Sequence, residues 1–260
     1  MTPSKATPGT DGLAVHVPAR ETSTLVTGAG SGIGRSVARA LHARGERVIL
    51  CGRRPEPLEE TLARSDQVVH AVADVADGTA LAAALAEGTA ALGPVSTAVL
   101  SAALNRSGHF LDMPAEDFDS MTAANFTGVA NTLRLVLPGM LENRYGRIVV
   151  IGTLADMNPI PGAVGYSATK GALHPLIRGV AGEIDRARCP DVLINEMTPG
   201  AVQGNMAGHG RLPDDVIPEI MQLIDLPKGG PSGGFFRAGK RIYPGESFKG
   251  AIKRHLRRLV

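Results

Sequence analysis

The sequence predicts an α/β fold in which helices cover both faces of a doubly wound, mainly parallel sheet. Three observations lead to this prediction. Apolar segments alternate with helical patterns over most of the chain, most of these segments are continuous in Val, Ile, Leu and Ala, and a glycine-rich turn, TGAGSGIG at 27–34, joins the first strand to the first helix. Continuous apolar strands are typical of parallel sheets buried on both faces, and regular β–α alternation is typical of doubly wound folds.

The predicted elements follow one another without a linker that would divide the chain. Strands are expected at 24–27, 47–51, 68–73, 97–101, 147–153, 192–198 and 234–237, and helices at 32–43, 57–65, 79–91, 115–143, 164–186 and 213–226. No internal repeat interrupts them. A single domain over residues 22–245 is therefore predicted, and a chain of 260 residues is long enough to bury one large core.

Three segments depart from the alternating pattern. Residues 1–21 are rich in Pro, Thr, Gly and Ala and are predicted to form a loose N-terminal arm. Residues 203–226 are predicted to form a lid, because ligand crevices in such sheets lie beyond the carboxyl ends of the strands; an irregular connection is the alternative. Residues 246–260 form a basic tail, interpreted as a solvated helix face or a frayed end rather than a membrane or nucleic-acid patch.

The composition argues against several function classes. The net charge is +2, which gives no reason to expect a nucleic-acid partner, and no run approaches the ~18 apolar residues that a membrane helix needs. The N-terminal residues lack the apolar core of a signal peptide, so a cytoplasmic protein is predicted. Cys51 and Cys189 have no metal-type spacing, which predicts no metal site and a reduced compartment, with a single disulfide as the alternative.

The glycine-rich turn predicts an anion site. A strand, a glycine turn and a helix N-terminus direct backbone N–H groups and the helix dipole at one point. Gly28 permits the tight turn, and Gly32 and Gly34 carry no side chains, so that a pyrophosphate and the neighbouring strand can approach. Glycines alone are equally typical of a flexible loop, but their position in a βα unit favours dinucleotide binding.

The spacing Gly-x-x-x-Gly-x-Gly resembles the cofactor turn of the short-chain dehydrogenase/reductase family. The resemblance continues through Asp74–Val75, Asn125, YSATK at 166–170 and Pro199–Gly200, and it covers roughly residues 22–240. It implies a Rossmann-type fold and an NAD(P)H-dependent oxidoreductase, in which Asp74 accepts from the adenine amino group and Val75 donates its backbone N–H. The implied cofactor-binding residues are Gly28, Ser31, Gly32, Ile33, Gly34, Arg35, Arg53, Asp74, Val75, Ser101, Ala102, Tyr166, Lys170, Pro199, Gly200 and Val202.

The end of the second strand, RVILCGRR, predicts NADPH rather than NADH as the cofactor. An acidic residue that binds the adenosine ribose 2′-hydroxyl is expected there, but Gly52 takes its place and Arg53 and Arg54 follow. An arginine pairs with a 2′-phosphate, which a carboxylate would repel. Arg35, directly after the glycine turn, is expected to assist.

Tyr166 and Lys170 are predicted to carry the chemistry. Their four-residue spacing places them on one face of a helix. Reduction of a carbonyl needs a proton donor at the oxygen, and a free tyrosine, with a pKa of about 10, is a reluctant acid–base group near neutral pH. A nearby ammonium is expected to lower the pKa of Tyr166, which would act as the acid in reduction and the base in oxidation. The resemblance implies that Lys170 also holds the nicotinamide ribose hydroxyls.

Two further catalytic candidates, Thr153 and Asn125, rest on the resemblance. The family usually has a serine thirteen residues before the tyrosine, and this chain has Thr153 there. Threonine keeps the hydroxyl that polarises the substrate carbonyl, while its methyl group stiffens the rotamer; a core threonine at a strand end is the alternative. Asn125 matches the family's helix asparagine, which helps to anchor a proton-relay water through its backbone; its alternative is a satisfied buried amide.

The chain departs from the family pattern after the fourth and sixth strands. LSAA at 100–103 replaces the usual Asn-Asn-Ala-Gly, so Ser101 keeps a polar side chain and Ala103 adds a Cβ beside the cofactor. Gly204 stands near a position where the family often has a threonine, so that one hydrogen bond to the nicotinamide carboxamide is missing or comes from the backbone or Gln203. The first departure gives some weight to a non-catalytic role.

Loops after the fourth and fifth strands and the lid supply the candidate substrate contacts. These are His109, Phe110, Met113, Met157, Asn158, Pro159, Met206 and His209. The methionines offer an adaptable apolar wall, and residues 154–165 contain no lysine or arginine. A ketone on a mainly apolar small molecule is therefore the predicted substrate.

The predicted function is NADPH-dependent reduction of this ketone to a secondary alcohol. An alcohol dehydrogenase that works in the reverse direction, and a non-catalytic subunit that supports a homologous partner, are the alternatives. The oligomeric state stays open between a monomer, a homodimer and a homotetramer, because helices like 115–143 and 164–186 form dimers in many relatives, while GPSGGFFRAGK near the C-terminus resembles monomeric-type carbonyl reductases.

Overall fold

The computed structural model describes residues 21–155, 157–159, 161–204 and 208–242. The predicted α/β fold with a Rossmann-type sheet is confirmed. The strands are β1 (Ser23–Thr27), β2 (Val48–Gly52), β3 (Val68–Val72), β4 (Val95–Leu100), β5 (Tyr145–Ile151), β6 (Asp191–Met197), β7 (Gly234–Arg237) and β8 (Lys240–Ile242). The helices are α1 (Gly32–Ala43), α2 (Pro55–Thr61), α3 (Gly78–Leu92), α4 (Ala115–Thr122), α5 (Gly128–Glu142), α6 (Val164–Gly171), α7 (Leu173–Glu183) and α8 (Ile217–Ile224).

The strands form one sheet in the order β3-β2-β1-β4-β5-β6-β7-β8, in which the first seven run parallel and β8 pairs antiparallel with β7. The strand order reverses between β1 and β4. Because β1 continues to β2 on one side and β4 continues to β5 on the other, the connections leave a crevice at the carboxyl ends of β1 and β4.

Apolar side chains bury both faces of the sheet, as continuous apolar strands require. On one face, α3, α5 and α7 pack over residues such as Leu25 and Ile49. On the other face, α1, α2 and α8 pack over Val26 and Leu50. Successive residues of a strand therefore serve opposite layers, which explains why the strands lack polar alternation.

Two predicted helices are interrupted in the structure. The helix predicted over 115–143 consists of α4 and α5 joined by a π-helical turn, Ala123–Thr127. The helix predicted over 164–186 breaks at Ala172 and ends at Glu183. Pro175 explains the break, since it has no N–H to donate to the preceding turn.

The sequence pattern did not predict β8. It follows β7 through a two-residue turn in which Ala238 and Gly239 both have positive φ values, +48° and +71°. A tight hairpin of this kind favours glycine or asparagine at both positions. Because the first position is Ala238, the sequence lacks the dipeptide that would predict the turn. The remainder of the predicted domain after residue 242, the N-terminal arm up to residue 20 and the basic tail lie outside the described residues.

The segment predicted as a lid has two parts with different environments. From Pro213 onward it forms a short 3₁₀ turn and α8, and the side chains of Val216 and Ile220 are fully buried against the sheet. This part belongs to the core. Residues 203–204 and 208–212 lie at the surface, so only this part of the segment fits a covering loop.

A buried ion pair holds the amino ends of β5 and β6 together and gives a stability prediction. Arg147 is 4% exposed and donates from Nη2 to Asp191 Oδ1 at 2.6 Å. Asp191→Asn removes the carboxylate charge opposite this guanidinium and is expected to lower the free energy of unfolding by about 2 kcal/mol. Urea unfolding measures the change. Asp225→Asn, which breaks the exposed pair with Arg44, serves as the control with an expected change below about 0.5 kcal/mol; equal losses in the two variants would contradict the prediction.

Candidate functional site

Three segments of backbone meet at the turn after β1, and glycines permit the contact. Gly28 has φ +68°, and a Cβ there would lie 2.8 Å from the Cα and N atoms of Ala102. A Cβ on Gly34 would overlap the carbonyl oxygen of Gly28. Because real Cβ atoms do not approach that closely, only glycine allows α1 to start against the turn and the turn to lie against the segment after β4.

A threonine at the end of β1 fixes the segment after β4. The Thr27 hydroxyl accepts hydrogen bonds from the backbone N–H groups of Ser101 and Ala102, each at 3.2 Å. Leu100, the first residue of the unusual LSAA run, is buried in the core. The run therefore keeps its backbone path through Thr27, and its altered side chains do not disturb the fold.

The N-terminus of α1 has the features of an anion site. Ser31 is the N-cap residue, but its side chain makes no capping hydrogen bond, and the first turn carries no acidic residue. Gly32 has φ +49°, and a Cβ there would meet no atom within 4 Å. The first N–H groups of α1 thus have no side-chain cap and no acidic neighbour in the first turn, which suits a bound phosphate.

The crevice at the carboxyl ends of β1, β2 and β4 is a single cleft that gathers many of the predicted cofactor residues. Those that line it are Gly28, Ser31, Arg53, Asp74, Val75 and Ala102, together with Gly30, Gly52, Arg54, Pro57, Leu58, Ala73, Ala103, Leu104 and Ala124. The second group includes six residues that the sequence motifs do not predict as site residues, namely Gly30, Pro57, Leu58, Ala73, Leu104 and Ala124. Gly30 belongs to the glycine turn, Pro57 and Leu58 to α2, and Ala73 directly follows β3, while Leu104 and Ala124 come from the segment after β4 and the π-helical turn.

The two sides of this cleft carry opposite charges. Arg53 Nη1 lies 3.9 Å from Asp74 Oδ2, and both side chains are largely exposed, 67% and 41%. Asp74 also accepts from the N–H of Ala76. Arg35 has a different environment, because its guanidinium donates to the carbonyl of Gly30 and pairs with Glu60. It therefore stabilises the turn from beneath.

Asn125 joins the cleft to the helix that carries the tyrosine. It is fully buried in the π-helical turn. Its amide accepts from Leu104 N at 2.7 Å and donates to Leu104 O at 2.8 Å and to the Thr169 hydroxyl at 3.0 Å. Thr169 in turn donates to the carbonyl of Tyr166. The side chain of Asn125 thus has a structural role that the sequence analysis had considered as the alternative, and the π turn around it is of a kind frequent at functional sites.

Tyr166 and Thr153 lie together, as the family resemblance implies. A side-chain hydrogen bond joins them, and the Thr153 hydroxyl also accepts from Ala155 N at 3.1 Å. Burial raises the pKa of Tyr166, and the hydrogen bond with Thr153 opposes this rise only in part. The predicted lowering of the tyrosine pKa is therefore not found, because desolvation of the phenol outweighs the effect of the hydrogen bond with Thr153.

Lys170 is buried on α6, four residues after Tyr166 on the same helix. It is 2% exposed, and its Nζ donates to the carbonyl of Ile151 at 2.8 Å. Burial lowers the pKa of Lys170 to about 8, while the negative charge of Glu196 acts in the opposite direction. The side chain therefore remains an ammonium at neutral pH, although it is far easier to deprotonate than an exposed lysine.

The predicted residues after β6 lie at the same edge of the sheet. Gly200 has φ +76° and its N–H lies 3.5 Å from the Thr198 hydroxyl. Val202 forms an isolated bridge with Arg211, and Gln203 N donates to Arg211 O. These contacts tie the start of the predicted covering loop to its end.

The predicted substrate residues are mostly exposed on loops beyond β4 and β5. These are His109, Phe110, Met157, Asn158 and Pro159, with Met113 half-buried and His209 exposed beyond β6. The two loops are joined, because Gly108 N donates to Gly162 O at 2.9 Å. Met206 lies outside the described residues.

Comparison with known proteins agrees with this geometry. The family described as short chain dehydrogenase matches residues 22–213. The chain is 32% identical over 214 residues to oxidoreductase UcpA of Escherichia coli strain K12, which covers 78% of this chain and 80% of the relative, and it has the same identity and coverage with oxidoreductase UcpA of Salmonella typhimurium. An uncharacterized oxidoreductase of Staphylococcus aureus strain USA300 is 28% identical over 213 residues, with 78% and 91% covered. The chain belongs to the short-chain dehydrogenase family.

Membership of the short-chain dehydrogenase family makes the protein an NAD(P)-dependent oxidoreductase. The open N-terminus of α1 and the cleft beside it fit the phosphates of such a cofactor. In the part of the chain that the structure describes, no cluster of three or more His, Cys, Asp or Glu side chains is arranged to hold a metal ion. None of the described helices has the length and apolar content to cross a membrane.

The contact at Gly28 gives a binding prediction. Gly28→Ala combines a strained φ with a clash against Ala102, so we expect dinucleotide affinity to fall at least about tenfold as the turn moves away from the cleft. Gly45→Ala is the matched control, because Gly45 has φ +86° but no atom near its Cβ position. It should lose about 1 kcal/mol of stability and keep its affinity. Titration with the reduced cofactor measures the affinity of each variant. Unchanged affinity in Gly28→Ala would contradict the prediction.

Proposed function

We propose that the protein reduces a ketone on a mainly apolar small molecule to a secondary alcohol, with NADPH as the reductant and Tyr166 as the proton donor. The observation that carries this proposal is the hydrogen-bonded pair of Tyr166 and Thr153, together with the buried ammonium of Lys170, which bonds to the Ile151 carbonyl two residues before Thr153. These contacts support the proposal because they combine an acid, a second hydroxyl and a positive charge at the end of β5 and on α6.

When bound, the cofactor would supply the hydride that the carbonyl carbon accepts. The hydroxyl of Thr153 donates a hydrogen bond to the carbonyl oxygen, and Tyr166 transfers its proton to that oxygen, which completes the alcohol. Because burial raises the pKa of Tyr166, the phenol stays protonated and ready to donate. The Lys170 ammonium compensates the negative charge that Tyr166 carries after the transfer.

The preference for NADPH rests on the end of β2. Gly52 leaves no carboxylate there to repel a 2′-phosphate, and the exposed guanidinium of Arg53 lies at the rim of the cleft. Arg54, which also lines the cleft, is a second cation for the same phosphate. The charged atoms of Arg53 and Asp74 are 3.9 Å apart and both side chains are largely exposed, so their ion pair is weak. A phosphate can therefore compete with Asp74 for Arg53.

The apolar substrate is supported by exposed large side chains beyond the sheet. Phe110 and Leu111, after β4, are 57% and 93% exposed, and Met157 and Val164, after β5, are also exposed. Exposed apolar side chains gathered on neighbouring loops are typical of a binding surface. Met157 belongs to the segment that leads to the helix carrying Tyr166, and Val164 begins that helix.

Replacement of the proton donor tests the proposed chemistry. Tyr166→Phe removes only the hydroxyl, so we expect turnover of a ketone substrate to fall by about 10²–10⁴-fold, with NADPH affinity changed less than about twofold. Tyr145→Phe is the matched control, since Tyr145 lies at the start of β5 under Arg147. Steady-state kinetics with a panel of apolar ketones measures turnover. Equal turnover in the wild type and Tyr166→Phe would contradict the proposal and favour a non-catalytic role.

Exchange of the β2 end tests the cofactor preference. Arg53→Ala should weaken NADPH binding about tenfold and leave NADH binding unchanged, because only NADPH has the 2′-phosphate. Gly52→Asp should reverse the preference; the nearest atom to its Cβ would be Leu58 Cδ2, at 3.1 Å. Arg134→Ala, an exposed arginine of α5, controls for net charge. An equal loss of affinity for NADPH and for NADH in Arg53→Ala would contradict the proposal.

A further inference from the structure

A buried carboxylate lies under the reaction centre and takes no part in the proposed proton transfer. Glu196, on β6, is 1% exposed. Its Oε2 accepts a hydrogen bond from His174 Nδ1, on α7, at 2.7 Å, and the His174 ring packs edge-on against Phe235 at 4.5 Å. A buried carboxylate is costly unless its partners compensate the lost hydration, so its presence at this place calls for a function.

The Glu196 carboxylate fills the space that a side chain on Gly152, the residue before Thr153, would need. The register pairs Val150 with Glu196 and Ile151 with Met197, and the N–H of Gly152 donates to the Met197 carbonyl at 2.7 Å. A Cβ on Gly152 would overlap Oε1 of Glu196. The carboxylate therefore packs directly against the backbone that presents the Thr153 hydroxyl.

Lys170 contacts the same stretch of backbone from the helix side. Its Nζ donates to the carbonyl of Ile151, one residue before the glycine against which Glu196 packs. The negative charge of Glu196 favours the ammonium form of Lys170 and acts against desolvation. The ammonium of Lys170 and the carboxylate of Glu196 are thus two buried, opposite charges that contact consecutive residues, Ile151 and Gly152.

We propose that Glu196, held in place by His174, is a positioning residue of the reaction centre that keeps the Lys170 side chain charged and the Gly152–Thr153 backbone fixed. This inference rests on the proposed function of Tyr166, Thr153 and Lys170. Glu196 acts only through those residues and does not touch the reacting atoms.

The titratable groups that face one another here come from three elements. Tyr166 and Lys170 come from α6, His174 from α7 and Glu196 from β6, while β5 contributes the Ile151 carbonyl and β7 the ring of Phe235. Lys170 is the group whose charge changes near pH 8. The Glu196 charge raises the pKa of Lys170 and opposes the effect of desolvation. Without this charge, Lys170 should lose its proton at a lower pH.

The pH profile of ketone reduction tests this inference. In the wild type we expect kcat to fall as the pH rises above about 8, where Lys170 loses its charge. Glu196→Gln keeps the shape of the side chain and removes its charge, so the midpoint of this fall should move down by about 1 pH unit. Asp191→Asn removes a paired carboxylate from the other end of the same strand and should leave the midpoint unchanged. An identical midpoint in the wild type and Glu196→Gln would overturn the inference.

The histidine is tested in the same way. His174→Gln should move the midpoint downward by a smaller amount, because the carboxylate loses its anchor but keeps its charge. His70→Gln is the matched control, since His70 is a buried histidine on β3 that bonds to the Leu62 carbonyl, away from Tyr166. A profile in which both histidine variants lose turnover equally at every pH would assign His174 a purely structural role and count against the inference.

Unfolding measures the same coupling without turnover. Lys170 has a pKa of about 8 when folded and 10.5 as the ordinary value, so the unfolded chain binds more protons in this range and the contribution of Lys170 to stability rises with pH. Glu196→Gln makes the buried ammonium of Lys170 more destabilising at low pH. The difference in the free energy of unfolding between the wild type and Glu196→Gln should therefore narrow between pH 6 and pH 9 in urea unfolding. A constant difference would overturn the inference. Absence of ketone turnover in the wild type, with a difference that narrows, would reject the proposed function and leave the Glu196–Lys170 coupling supported.

Discussion

The structure depends on one steric constraint, the contact between backbones at the carboxyl ends of β1 and β4. Gly28 lies against Ala102, and Gly34 lies against Gly28. Any side chain at these two glycines would separate the first turn, the first helix and the segment after β4. Because they stay in contact, the N-terminus of α1 opens onto the cleft where a phosphate fits, and the strand order places that cleft at the centre of the sheet.

A second set of contacts carries this arrangement to the reacting groups. Asn125 holds both backbone polar groups of Leu104, which lines the cleft, and also bonds to Thr169, next to Lys170 on α6. The cleft wall and the helix with Tyr166 are therefore fixed by one buried amide. Below them, Lys170 and Glu196 contact consecutive residues of the β5 end, so the charge under Tyr166 and the position of Thr153 depend on the same backbone.

Much of the fold and the cofactor cleft could be predicted from the sequence, because they depend on local patterns. The continuous apolar strands, the glycine turn and Gly52 at the end of β2 each have a clear physical meaning in the chain itself. The break at Ala172 could have been predicted from Pro175, because a proline within a helical pattern removes an N–H donor. The hairpin at Ala238 could not, since it depends on an alanine with positive φ.

The chemistry of the site was harder to predict because it depends on burial. The sequence suggests that Lys170 lowers the pKa of Tyr166, but desolvation of the phenol raises it. Arg35 stands beside the turn in sequence, yet it bonds to Gly30 and Glu60. Glu196 and His174 are far apart in the chain and meet only through the packing of α7 on β6, so no spacing rule indicates the pair.

The most direct test of the account is a titration of the wild-type protein with NADPH and, separately, with NADH, followed by the emission of the reduced nicotinamide. The chain contains no tryptophan, so this emission is measured without the usual protein background. The account predicts that both cofactors bind and that NADPH binds at least about tenfold more tightly, which corresponds to about 1.4 kcal/mol for the 2′-phosphate contact. Tighter binding of NADH, or no binding of either cofactor, would contradict it.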